Sequence, residues 1–168
     1  MKLAKELAKE FRGKRNLLVE KDGNGKYWVS DTYIAVLLDP YDYGEFKAKY
    51  NSYKTTKSIP EDIEHAIKIV AGELTLHDEE IMPNVVSDQL DHRVQTTDEV
   101  IASLGQPGIR RLVSNDLGDI YMSRDFEFLL TGPYDSPEIY TSGKLQPLHI
   151  LENGHLRALI MPVRGIDK

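Results

Sequence analysis

The side chains able to do chemistry in this chain are dispersed along it. Its five histidines, His65, His77, His92, His149 and His155, include no pair one helical turn apart, so the spacing that holds zinc on a helix is missing. His77-Asp78-Glu79-Glu80 and the run from Asp88 to His92 offer carboxylate and imidazole ligands for a divalent ion. Both stand in polar, irregular sequence and read better as solvated acidic loops. His149 and His155 flank an Asn-Gly turn and are expected to face one another across two strands as packing partners. Asp22-Gly23-Asn24-Gly25-Lys26 lacks the spacing of a phosphate-binding loop, and there is no Gly-x-Ser-x-Gly elbow. No catalytic residue, metal or cofactor is expected, and the chain reads as a non-enzymatic binding protein.

The chemistry that remains is that of binding surfaces. Stepping about 100° per residue from Lys2 to Arg12 sorts the segment into faces: Leu3, Leu7 and Phe11 with Ala4 and Ala8 are apolar, and Lys2, Lys5, Lys9 and Arg12 form a basic stripe. Such a stripe suits electrostatic contact with phosphates. It is equally the solvated outer face of a core-packed helix. A second basic group, Lys47, Lys49, Lys54 and Lys57, is interleaved with Tyr41, Tyr43, Tyr50 and Tyr53, a composition compatible with nucleic-acid contact.

These residues need elements to position them. Gly13 stops the first helix, and Asn16 to Lys21, Lys26 to Ser30 and Thr32 to Leu38 then alternate as strands, joined at first by the Asp-Gly-Asn-Gly turn. Asp39-Pro40 closes this meander. Strand signals return at Ile109 with IRRLVS and DIYMS. Ser123 is placed to cap a helix from Arg124 to Leu130, and strands follow at Glu138 to Thr141, Leu145 to Glu152 and His155 to Val163, with Asn153-Gly154 as the last hairpin turn. Between these ends, Tyr43 to Tyr53 reads as a short helix or aromatic loop. Pro60 to Ala71 reads as a helix stopped by Gly72, Leu74 to Leu76 as a strand, and Thr96-Thr97-Asp98-Glu99 as a capping box opening a helix to Leu104. The expected class is α+β: two helix-plus-antiparallel-meander halves, about residues 1–40 and 109–168, packed as one domain over 1–168 with a partly helical insertion at about 41–108.

The order of elements, together with Tyr121, Leu129-Leu130, Ile139-Tyr140, Leu145-Gln146-Pro147-Leu148-His149-Ile150 and the ending Leu159-Ile160-Met161-Pro162-Val163-Arg164, resembles one domain of the DNA sliding clamps. The resemblance implies a sliding-clamp-like fold with a basic helix face toward duplex DNA, held without base reading. At residue level it implies DNA contact by Lys2, Lys5, Lys9 and Arg12. A peptide of a replication or repair protein would then bind at Met161, Pro162, Val163 and Arg164. Bacterial clamp chains carry three such domains, so a ring of that size built from this chain needs about six copies. Homo-oligomers are therefore expected. The alternative is an interaction or assembly module of phage or mobile-element type that does not touch DNA.

Composition sets the outer bounds. A length of 168 residues with 40% hydrophobic and 29% charged side chains suits a globular domain. The absence of cysteine removes disulfides and thiolate metal sites. No apolar run is long enough to cross a bilayer, and the first residues alternate charge with Leu and Ala, so a cytoplasmic location without membrane contact is expected. The net charge of −6 confines any nucleic-acid contact to a local patch.

Overall fold

An apolar helical stripe such as Leu3, Leu7 and Phe11 is stable in water only when another apolar surface covers it. The computed structural model, which describes residues 2–54, 57–63, 65–77, 80–103 and 106–164, supplies that surface from the chain just downstream. The fold is α+β with antiparallel strands throughout. It divides into two compact units, one ending at Asn84 and the other beginning at Val85.

In the first unit, helix α1 (Lys2–Phe11) precedes strands β1 (Asn16–Lys21), β2 (Tyr27–Ser30) and β3 (Ile34–Leu38). Helix α2 (Pro40–Tyr53) and strands β4 (Ala66–Val70) and β5 (Glu73–His77) complete it, and the strands lie in the order β5-β4-β1-β2-β3. Asp39 ends β3 and begins α2, its carboxylate accepting the Asp42 N–H at 2.8 Å while Pro40 occupies the first turn. Residues opposite one another on antiparallel strands share a face. The registers Val19–Val29, Val29–Val36, Val19–Ile67 and Leu17–Ile69 therefore collect one apolar face. Tyr27, on that face, stacks on Tyr43 of α2 with ring centroids 3.9 Å apart, so this is the face that the helices cover. Phe11 meets Phe46 edge-on at 5.9 Å, and Leu3, Leu7, Phe11, Phe46 and Tyr50 are all buried.

The opposite face of β1 carries Glu20, only 1% exposed. Its carboxylate accepts the Ile81 N–H at 2.6 Å and the Met82 N–H at 3.1 Å, at the start of a 3₁₀ turn over Met82–Asn84. A buried carboxylate is tolerable because backbone donors replace the water it lost. In the β2–β3 turn, Asp31 Oδ1 accepts the Tyr33 and Ile34 N–H groups, both at 2.9 Å, closing a turn in which Thr32 has a φ of 81°.

The second unit is built on β6 (His92–Ser103), β7 (Gln106–Ser114), β8 (Gly118–Ser123), β9 (Glu138–Thr141), β10 (Leu148–Glu152) and β11 (His155–Ile160), in the order β11-β10-β9-β6-β7-β8. Ser123 accepts the Asp125 N–H and caps Arg124–Leu129, which winds as a 3₁₀ helix. Leu112, Ile120, Met122, Leu129, Leu148 and Ile150 are fully buried.

Residues 41–108 are shared between the units, and two helices expected there are strands. Pro60 to Ala71 does not form a helix: Ala66–Val70 is β4, hydrogen-bonded to β1 on one side and β5 on the other. Its Ile-Lys-Ile-Val run is β-branched at alternate positions and buries Ile67 and Ile69 at period two. Gly72, read as a helix stop, forms with Ala71 a hairpin turn in which both residues have positive φ, 83° and 51°. Thr96 to Glu99 likewise opens no helix. The β6–β7 register jumps between Thr96 and Val100, and this bulge takes up the polar residues. Thr97 Oγ1 donates to the Arg111 carbonyl at 2.6 Å and accepts the Glu99 N–H, while Glu99 pairs with the Arg111 guanidinium. Leu104 and Gly105 lie outside the described residues.

Replacing Glu20 with Ala leaves the Ile81 and Met82 N–H groups without their acceptor in the protein interior. The expected loss in chemical denaturation is about 2–4 kcal/mol, with Glu20→Gln losing less because an amide oxygen still accepts. An Ala variant as stable as the parent would mean that this carboxylate anchors nothing.

Candidate functional site

Packing fixes the rotation of α1. With Leu3, Ala4, Leu7, Ala8 and Phe11 buried, helical geometry turns Lys5, Lys9 and Arg12 outward, and all three are exposed. The side chain of Lys2, the fourth member of the expected stripe, lies outside the described residues. Lys5, Lys9 and Arg12 span about 10 Å of helix axis. The acidic neighbours Glu6 and Glu10 on α1, and Asp42 and Glu45 on α2, are only partly exposed. Lys5 is close enough to Glu45 for their charges to interact.

Helix α2 adds to the same surface, since α1 packs on it directly. The Arg12 guanidinium lies over the Tyr53 ring, 4.9 Å from its centroid, and Lys49 Nζ approaches the same ring at 5.4 Å. Tyr53 thus gathers one cation from each helix, a cation–π arrangement that holds both charges near the surface. The other members of the second basic group divide. Lys47 is drawn inward, 5.8 Å from the Tyr43 centroid and donating to the Glu61 carbonyl at 3.3 Å. Lys54 and Lys57 are exposed. Asn51 ties the following loop back to α2 by accepting the Ile59 N–H at 2.8 Å and donating to the Ile59 carbonyl at 3.1 Å. Burial, and secondarily Tyr27, pushes the Tyr43 phenol up, so it carries no charge at neutral pH.

Met161, Pro162, Val163 and Arg164 belong to the second unit and follow β11. Pro162 is buried, Met161 and Val163 are half-buried, and Arg164 is exposed. The Val163 N–H donates to the Tyr121 carbonyl of β8 at 2.8 Å, and Arg164 Nη2 donates to the Leu145 carbonyl at 3.2 Å. This segment is therefore an extended strap bonded to its own unit. Residues 165–168 lie outside the described residues.

Sequence reasoning missed a network of ion pairs in the second unit. A groove of about 500 Å³ in the second unit is lined by Arg93, Arg110, Glu127 and Glu138 among others. Its charges are matched: Arg110 Nε to Glu127 at 2.7 Å and Arg93 Nη2 to Glu138 at 3.1 Å. Partial burial raises Glu127, but Arg110, helped by Arg124, outweighs it and holds the carboxyl below its ordinary range. Arg110 and Arg111 were visible as a pair in IRRLVS, yet nothing local names partners 12 to 17 residues away.

Among the described residues no two histidines are hydrogen-bonded to one another. His149 and His155 do not face each other: the two-residue Asn153-Gly154 turn pairs His155 with Glu152, and His149, three residues further along its strand, lies opposite Leu159. His149 is completely buried. The Ser87 N–H donates to its Nε2 at 3.0 Å, and its Nδ1 lies 3.0 Å from the Pro147 carbonyl. A carbonyl only accepts, so Nδ1 bears the hydrogen and the ring is neutral. Ser114, Asp116 and His92 bring together the residue types of a hydrolytic triad in the wrong order. Asp116 sits between the other two and accepts from both, which holds its carboxyl low, Ser114 contributing most. The serine hydroxyl donates to the carboxylate, so the serine-to-imidazole bond of a triad is not formed here. Asp78 and Glu79 lie outside the described residues. No group of His, Asp and Glu able to hold a metal occurs among the described residues. None of their helices is long and apolar enough to cross a membrane.

Comparison with protein-family models, with curated proteins and with solved structures returns no match to this chain.

The buried neutral His149 makes stability pH-dependent. Desolvation lowers its affinity for a proton in the fold, whereas the unfolded chain protonates near 6.5. The unfolded state then binds more protons below that pH, so stability is intact above it and declines as pH falls, by up to about 1.4 kcal/mol per pH unit. Denaturation at pH 7.5 and 5.5 should show a larger loss for the parent than for His149→Gln; equal losses would place the sensitivity elsewhere.

Proposed function

We propose that the protein is a non-enzymatic binding protein of sliding-clamp-like fold that holds the phosphate backbone of duplex DNA against the outer face of α1 and α2, without reading bases. The convergence of Arg12 and Lys49 on Tyr53, beside the exposed Lys5 and Lys9, carries this reading. Cations from two separately encoded helices meet on one surface of a chain whose net charge is −6. A solvated helix face needs no such meeting. Contacts of this kind release counterions, so the binding is sequence-independent and weakens with salt.

A second reading keeps the chain as an interaction module without nucleic acid. It draws on Met161 and Val163, whose half-exposed side chains flank Pro162 on the strap and present adaptable apolar surface to a partner peptide.

Titration of generic duplex DNA at several salt concentrations separates the two. With three to four phosphates neutralised, the double-logarithmic salt slope should be about −3 to −4. Lys5→Glu with Lys9→Glu should flatten it by about 2 and weaken binding by roughly tenfold or more. Binding indifferent to salt and to both reversals would remove DNA from the account.

A further inference from the structure

The apolar face of the first unit's sheet continues past the cover of its helices. Among the described residues strand β5 has a single hydrogen-bonded neighbour, β4, and its Leu74 and Leu76 lie opposite Ile69 and Ile67, so they extend the buried face of the sheet. Ile67 and Ile69 are buried, whereas Leu76 is 70% exposed. Edge strands are normally protected by lysine, proline, a bulge or a covering segment. Glu-Leu-Thr-Leu-His has none of the first three, and its register with β4 is unbroken. The second unit's edge strand β8 differs, because the strap already donates the Val163 N–H to it.

We infer that β5 pairs antiparallel with β5 of a second copy of this chain, about a two-fold axis at Thr75. The strand is complementary to itself in that register. Each Leu74 lies opposite the other copy's Leu76, and each Glu73 lies opposite the other copy's His77. The leucines close the apolar face over the junction, and the acidic and basic ends meet on the opposite face. A one-residue slip loses both matches, since it moves every side chain to the other face of the sheet. A two-fold contact uses the same patch on both copies and closes at two. Head-to-tail pairing of β5 with β8 has no such complementarity and requires displacement of the strap. The dimer does not rest on the DNA reading, because Lys5, Lys9 and Arg12 take no part in it.

Light scattering across a concentration series, without DNA, tests the pairing. The expected particle has twice the 19.1 kDa mass of the chain. His77→Glu sets like charges opposite each other twice and should raise the dimer dissociation constant about tenfold. Adding Glu73→Lys to that variant should restore it, and Leu76→Lys should give monomers whose circular dichroism matches the parent. A parent that stays monomeric up to its solubility limit, assemblies growing beyond two copies, or a charge swap that fails to rescue His77→Glu would each overturn the inference.

Discussion

The burial of one helical stripe governs the candidate surface of the first unit. Leu3, Leu7 and Phe11 can leave water only by packing on Phe46, Tyr50 and the sheet beneath. Full burial of each such side chain is worth about 1.5–3 kcal/mol, far more than an exposed lysine gains by facing one way or another. The apolar residues therefore choose the rotation of α1, and Lys5, Lys9 and Arg12 follow. The same reasoning turns Tyr43, Phe46 and Tyr50 of α2 inward and leaves Tyr53, at its end, to receive Arg12 and Lys49.

Strand β1 is the other fixed point of that unit, because it is paired on both edges and buried on both faces. One face takes hydrocarbon from the helices. The other takes a carboxylate, which is stable there only because the 81–82 segment turns two N–H groups toward it. The second unit solves a similar problem with ion pairs: the bulge in β6 and the arginines of β7 satisfy each other across strands, so residues that would break a regular ladder are accommodated. Paired in this way, Arg110 and Arg111 stabilise the sheet and are not free cations for a ligand.

Much of the fold was legible where periodicity and turn chemistry agree. Helix α1, the β1–β2–β3 meander, the Ser123 cap and the Asn153-Gly154 hairpin all carry their own local signals, and the structure forms each of them. Misreadings came where one pattern serves two structures. Ile63, Ile67 and Val70 fit a helix face, but β4 lies between β1 and β5, and cross-strand pairing outweighs the weak preference of a short segment. Thr96-x-x-Glu99 fits a helix start, but in β6 Thr96 pairs with Leu112 of β7, and the neighbouring Thr97 hydroxyl donates to the Arg111 carbonyl. His149 and His155 fit a facing pair only if the turn is centred before Glu152, and the Asn153-Gly154 turn instead pairs His155 with Glu152.

The order of amino acids alone determined which residues of α1 are apolar and which are basic, since that division repeats with the helical period and needs no knowledge of neighbours. It also determined the turns at Asn24-Gly25 and Asn153-Gly154, because glycine there takes positive φ without steric cost. Only the tertiary structure decided that Arg12 and Lys49 share one tyrosine, that Glu20 is buried with backbone donors, and that β5 stands at the end of the strand order. Each of these depends on contacts between residues far apart in the chain, whose energies exist only after the strands have chosen their partners.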